Sequence, residues 1–136
     1  MSYELVIRVC SLVVGYFLGN ILTAFVVAKF YGNVDPTKVG SKNPGTANVG
    51  AVLGKKAGIL VLVGDLLKTL ITIAIVWWLF PKNHQLAILY AGLGLTLGHD
   101  FPFWHHFKGG KGVAITVLFT LFYNVQIGVI IWLLAL

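Results

Sequence analysis

The stretch most suited to chemistry is Phe107-Lys108-Gly109-Gly110-Lys111-Gly112. Two lysines separated by two glycines stand directly before an apolar run that begins near Val113. Glycines let a backbone bring its N–H groups close to a ligand, and a helix N-terminus adds partial positive charge. Together they suit a phosphate. The stretch is not a nucleotide-binding P-loop: the Gly-x-x-x-x-Gly-Lys spacing is missing, and Gly112 stands where Ser or Thr would meet magnesium. The competing reading is a basic turn whose lysines reach lipid headgroups. Residue types alone leave both open.

A second polar stretch, Gly40-Ser41-Lys42-Asn43-Pro44-Gly45-Thr46-Ala47-Asn48, has the composition of a loop that aims backbone donors at an anion. An ordinary polar connection fits the same composition. His99-Asp100 and His105-His106 flank the lysine–glycine stretch, but no spacing among them suits a metal, and none is assigned. Asp65 and Lys68 are three apart inside an apolar run, so on a helix they share a face. Ionisable groups there are costly and point to function or to mutual neutralisation.

These residues need elements to position them, and the composition says which kind. Of 136 residues, 58% are hydrophobic and 10% charged; a soluble domain carries about 25% charged residues. So apolar a chain argues against disorder and against an ordinary water-soluble fold. The net charge of +6 then speaks for loops facing anionic lipid or an anionic substrate, with no nucleic acid. A lone Cys10 excludes an internal disulfide.

Crossing a bilayer takes about 20 apolar residues. Runs at 5–30, 57–80, 84–98 and 113–136 therefore predict an all-α integral membrane bundle of about four helices, one domain over 1–136. The run 84–98 is short for a span. Polar loops remain at 31–56 and 98–112. Lys29, Lys38, Lys42, Lys55, Lys56, Lys108 and Lys111 fall on one side of such a bundle, with Arg8 and Lys82 opposite. The positive-inside bias puts the lysine-rich loops in the cytoplasm.

Four segments occur in an order that resembles one family: Tyr16 to Ile21, Val39 to Asn48, Asp65 to Lys68, and Gly98-His99-Asp100-Phe101-Pro102 through Lys108-Gly109-Gly110-Lys111-Gly112-Val113-Ala114. They resemble the bacterial acyl-phosphate:glycerol-3-phosphate acyltransferases. The resemblance implies a multi-pass enzyme of the bacterial inner membrane that moves a fatty acyl group from acyl phosphate to the 1-hydroxyl of glycerol 3-phosphate. The product is lysophosphatidic acid, for phospholipid synthesis, and no cofactor is called for. It implies catalytic roles for His99 and Lys111. Ser41, Asn43, Gly45, Asn48, Lys68, Lys108, Gly109, Gly110 and Gly112 would bind substrate or phosphate. The turn Gly19-Asn20-Ile21-Leu22 departs from the family's Gly-Ser-Ile-Pro, and Ala51 stands near the place of a family arginine. A third motif with His, Asn and Arg has no counterpart here, so the resemblance is to a shortened, divergent member.

Two other readings stay open on sequence. One is a membrane protein that binds phosphate-bearing lipid or a partner without turnover. The other is a small oligomeric transporter with Asp65 and Lys68 in its path.

Overall fold

The structure is a computed structural model that describes residues 2–136. Seven α-helices and one short 3-10 turn, and no strand, occur among the described residues. Helix α1 is Tyr3–Gly19, α2 Thr23–Gly32, α3 Thr46–Leu53, α4 Lys55–Leu79, α5 His84–Asp100, α6 Val113–Tyr123 and α7 Val125–Ala135.

Helix α1 starts at Ser2, whose hydroxyl accepts from the Leu5 N–H at 3.3 Å, with Glu4 in the first turn. Both features suit a helix N-terminus. The run 5–30 is not one helix. It breaks at Asn20-Ile21-Leu22 and resumes as α2. The run 113–136 is not one helix either. It reverses at Asn124, whose side chain caps α7 by accepting from Ile127 N–H at 3.1 Å. Gly128 packs on the backbone of Leu121, whereas residues seven apart in a continuous helix lie about 10 Å apart. Hydropathy had fused the two arms of this hairpin into one span. The two arms have 11 residues each, about 16 Å, too short to cross a hydrocarbon core of about 30 Å. The stretches Tyr3–Gly32 and Lys55–Leu79 do have the length and apolarity to cross.

Two apolar clusters hold the bundle. Ile7, Ile73, Val76, Ile88, Leu95 and Phe119 pack where α1, α4, α5 and α6 meet. Ala24, Val49, Ala57 and Val61 join α2, α3 and α4. Helices α1 and α5 approach backbone to backbone. A Cβ on Gly15 or Gly19 would strike the carbonyls of Ala91 or Leu95, and one on Gly94 or Gly98 those of Leu12 or Tyr16. Small residues at such crossings give the contact that drives helix association in lipid. Large apolar side chains face outward instead: Phe30 is 84%, Trp78 80% and Leu134 82% exposed.

Candidate active site

The break in the first apolar run is the hub from which the site is built. Unwinding at residues 20–22 leaves backbone groups without helical partners, and buried ones must find others. Asn20 supplies several contacts. Its Nδ2 donates to Tyr16 O at 2.7 Å, its Oδ1 accepts from Phe103 N–H at 2.9 Å, and its carbonyl accepts from Trp104 Nε1 at 2.8 Å. Tyr16 Oη donates to Phe101 O at 3.0 Å. The segment after α5 is thereby tied to the end of α1. The freed carbonyl of Ile21 accepts from Lys68 Nζ at 2.8 Å.

Lys68 and Asp65 are buried on one face of α4, as their spacing predicts. Lys68 Nζ is 2.9 Å from Asp65 Oδ1 and 2.8 Å from His99 Nδ1. Thr23 Oγ1 also donates to Asp65 Oδ1, at 2.8 Å. An ammonium has three donors, and Ile21, Asp65 and His99 take all three. Lys68 therefore has no donor left for a phosphate and does not line the cavity, which corrects the expectation of direct binding.

The lysine–glycine stretch divides into two parts. Gly109 N–H donates to Asp100 O at 2.9 Å and Gly110 N–H to His99 O at 3.0 Å. Those amides cap the end of α5 and are not available to a ligand. The two glycines serve another need: a Cβ on Gly109 would strike His99 O, and one on Gly110 would strike His99 Nε2. Lys108 is exposed, and its carbonyl accepts from His105 Nδ1–H at 2.8 Å. Lys108, Gly109 and Gly110 thus shape the site without lining it. Lys111 and Gly112 do line it.

The Gly40–Asn48 stretch is held by Asn48, which is 3% exposed. Its Oδ1 accepts from Ser41 N–H at 2.8 Å, and its Nδ2 donates to Pro36 O at 2.9 Å and Val39 O at 3.1 Å. Asn48 is thus a brace for the loop. Gly40 (φ +56°) and Lys42 (φ 63°) take left-handed turns that fold the loop over it. Upstream, Asp35 Oδ1 accepts from Thr37 Oγ1 at 2.6 Å and Thr37 N–H at 2.9 Å. The Thr37 hydroxyl first, then its amide, hold the Asp35 carboxyl below the usual carboxylate range.

One cavity of about 570 Å³ joins these parts. Its polar wall carries Ser41, Asn43, Gly45, Asp65, His99 and Lys111. Helices α3 and α6 both begin at it, with Gly45 and Gly112 as N-caps, no side-chain cap and no acidic residue in the first turn. Each start leaves N–H groups without helical acceptors and the positive end of a helix dipole. The opposite wall is apolar, with Leu62, Leu66, Leu118, Leu121 and Trp132. Motif spacing had found most of the polar wall. It missed the part played by Asn20 and by the Ile21 carbonyl, and it left Asp65 open between function and neutralising Lys68. Of the apolar wall, only Leu66 falls within a motif segment.

A helical bundle with segments long and apolar enough to cross a bilayer, enclosing a cavity polar at one wall and apolar at the other, defines an integral membrane protein. The family described as glycerol-3-phosphate acyltransferase matches residues 9–136, and the chain belongs to it. A glycerol-3-phosphate acyltransferase 1 of Lactobacillus johnsonii is 58% identical over 126 residues, covering 93% of this chain and 61% of that protein. A Lactobacillus acidophilus relative of the same description is 53% identical over 95% of this chain and 62% of its own length. A crystal structure of PlsY (YgiH), described as an integral membrane glycerol 3-phosphate acyltransferase in its glycerol 3-phosphate form, superposes with a TM-score of 0.75 at 36% identity, over 90% of this chain and 60% of that one. The chain thus spans about three fifths of the length of these relatives.

Proposed function

We propose that this chain carries the acyl-phosphate-dependent acylation of glycerol 3-phosphate, giving lysophosphatidic acid. The observation that carries the reading is the convergence of two uncapped helix starts, α3 and α6, on one cavity beside Lys111 and His99. Both substrates present a phosphate, and each helix start offers N–H donors to one. The apolar wall suits the acyl chain. Support also comes from the second PlsY structure, described as its lysophosphatidic acid form, at TM-score 0.73 and 35% identity.

In the reaction, the 1-hydroxyl oxygen forms a bond to the acyl carbonyl carbon. The carbonyl–oxygen bond to phosphate breaks, inorganic phosphate departs, and it carries the hydroxyl proton. Phosphate is already a good leaving group, so no covalent nucleophile on the protein is needed. Preorganised donors and the Lys111 ammonium stabilise charge that develops on the carbonyl and phosphate oxygens. Orientation of two bound reactants supplies much of the remaining rate.

The positive-inside bias of the lysine-rich loops supports a site on the cytoplasmic face of a bacterial inner membrane. The test is purified protein in lipid nanodiscs with acyl phosphate and glycerol 3-phosphate. Equimolar lysophosphatidic acid and inorganic phosphate are expected. Glycerol 3-phosphate binding with no product would favour the phosphate-binding reading without turnover.

A further inference from the structure

We infer that Lys68 is a positioning residue that locks His99 in its Nε2–H tautomer, so that His99 meets the substrates as a hydrogen-bond donor and not as a base. The inference deepens the proposed acyl transfer and rests on it for the identity of the substrates.

A neutral imidazole has one donor and one acceptor nitrogen. His99 Nδ1 lies 2.8 Å from Lys68 Nζ, and an ammonium can only donate. Nδ1 is therefore the acceptor, and the ring proton sits on Nε2. The Lys68 ammonium is itself fixed, because Ile21 O at 2.8 Å and Asp65 Oδ1 at 2.9 Å take its other two hydrogens. Asp65 does not compete for His99: its Oδ1 is 3.9 Å from Nδ1, beyond hydrogen-bond reach. A carboxylate–histidine pair of the kind that primes a histidine as base is thus not formed here.

Nε2 makes no hydrogen bond within the described residues. It abuts Gly110, where a Cβ would overlap it, and His99 lines the cavity with Lys111 and Gly112. With the ring proton on Nε2, that nitrogen has no lone pair for a second one; a base at Nε2 would need the other tautomer, whose protonation makes a cation with its Nδ1–H 2.8 Å from an ammonium. Like charges at that separation in a dry site repel strongly. The arrangement leaves His99 one task, to donate its Nε2–H to an oxygen that gains negative charge, on the acyl carbonyl or on a phosphate. Lys68 reaches the chemistry only through that ring.

Two measurements test this. The first is NMR of the two ring nitrogens of His99 in isotope-labelled protein in nanodiscs, which needs neither a variant nor turnover. A bare Nδ1 and a protonated Nε2 are expected. Lys68→Met, made together with Asp65→Asn so that no unpaired charge is buried, should give a mixture of tautomers, and Lys68→Arg should restore one. A protonated Nδ1 in the unaltered protein overturns the inference. The second is turnover. His99→Gln places an amide N–H near the Nε2 position and should keep activity within about tenfold, whereas His99→Phe should lose about 100-fold or more. Equal loss in both shows that an N–H donor at that position is not what the reaction requires and also overturns the inference. A chain with the expected tautomer and no turnover in any form would refute the proposed function and leave the tautomer assignment standing.

Discussion

Gly110→Ala adds one methyl group, and its cost can be worked from the structure. The new Cβ would overlap His99 Nε2 and lie 2.8 Å from His99 Cδ2, where carbon atoms in contact stand about 3.5–4.0 Å apart. Ring or loop must give by about 1 Å. The ring cannot swing away freely, because its far edge is held by Lys68 at 2.8 Å. The loop cannot lift without breaking the Gly110 N–H bond to His99 O at 3.0 Å. A misplacement of about 1 Å at a reacting group costs about 100-fold in rate, or about 2.7 kcal/mol. The control is Gly50→Ala, whose Cβ would meet Gly58 Cα at an ordinary 3.5 Å and which should change activity by less than about twofold. The assay is kcat and KM for glycerol 3-phosphate in nanodiscs, followed by phosphate release. Thermal melting run alongside reports whether both variants stay folded. Wild-type kcat/KM in folded Gly110→Ala would show that the Gly110–His99 contact does not position the reaction.

Lys111→Ala should weaken glycerol 3-phosphate binding by more than tenfold, since a hydrogen bond to a charged group is worth about 1.5–3 kcal/mol; Lys82→Ala, at an exposed turn away from the cavity, should not, and equal effects would reduce the loop to a basic surface. Asn48→Ala leaves the Ser41 N–H and the Pro36 and Val39 carbonyls without their side-chain partner; at about 1–3 kcal/mol for a buried orphaned group, the melting temperature should fall and exchange at the Ser41 amide should quicken. Asp35 titrates below its ordinary range because its charged form is bonded to Thr37. Its contribution to loop order is therefore present above the ordinary carboxylate value, about pH 4, and lost as pH falls through the lower folded value. Thr37 amide exchange should stay slow down to about pH 4 and rise below it, and in Thr37→Val the rise should begin at higher pH.

The polar half of the site was legible because its residue types are rare in an apolar chain. Ser41, Asn43 and Gly45 do meet His99, Lys111 and Gly112 at one cavity, as motif order implied. The roles inside that set were less legible. Whether a glycine amide is free for a ligand or spent on a carbonyl depends on a fold-back such as Gly110 onto His99, which no local pattern records. Lys68 read as a cation near a phosphate because its partners Ile21 and His99 lie 47 and 31 residues away. The spans failed where hydropathy averages over a reversal. Asn20 and Asn124 each looked like one polar residue in an apolar run, yet each ends a helix. In lipid, an unwound turn stands only where protein supplies partners, and those partners come from distant segments.

That dependence sets a timetable for making the protein. The partner of the Asn20 side-chain oxygen, Phe103, is 83 residues further along the chain. At about 5–20 residues per second, the first apolar run is synthesised roughly 4–17 s before Phe103 exists. Through that interval its broken turn has neither Phe103 nor Trp104 to bond, and for about the first half of it no Lys68 either; orphaned polar backbone in hydrocarbon costs several kcal/mol for each group. Release of the first run into lipid on its own is therefore unfavourable. It has to be sheltered in a polar-lined insertion site until the segments through Trp104 arrive, so the order of membrane entry is dictated by the same turn that bonds Lys68 and Trp104.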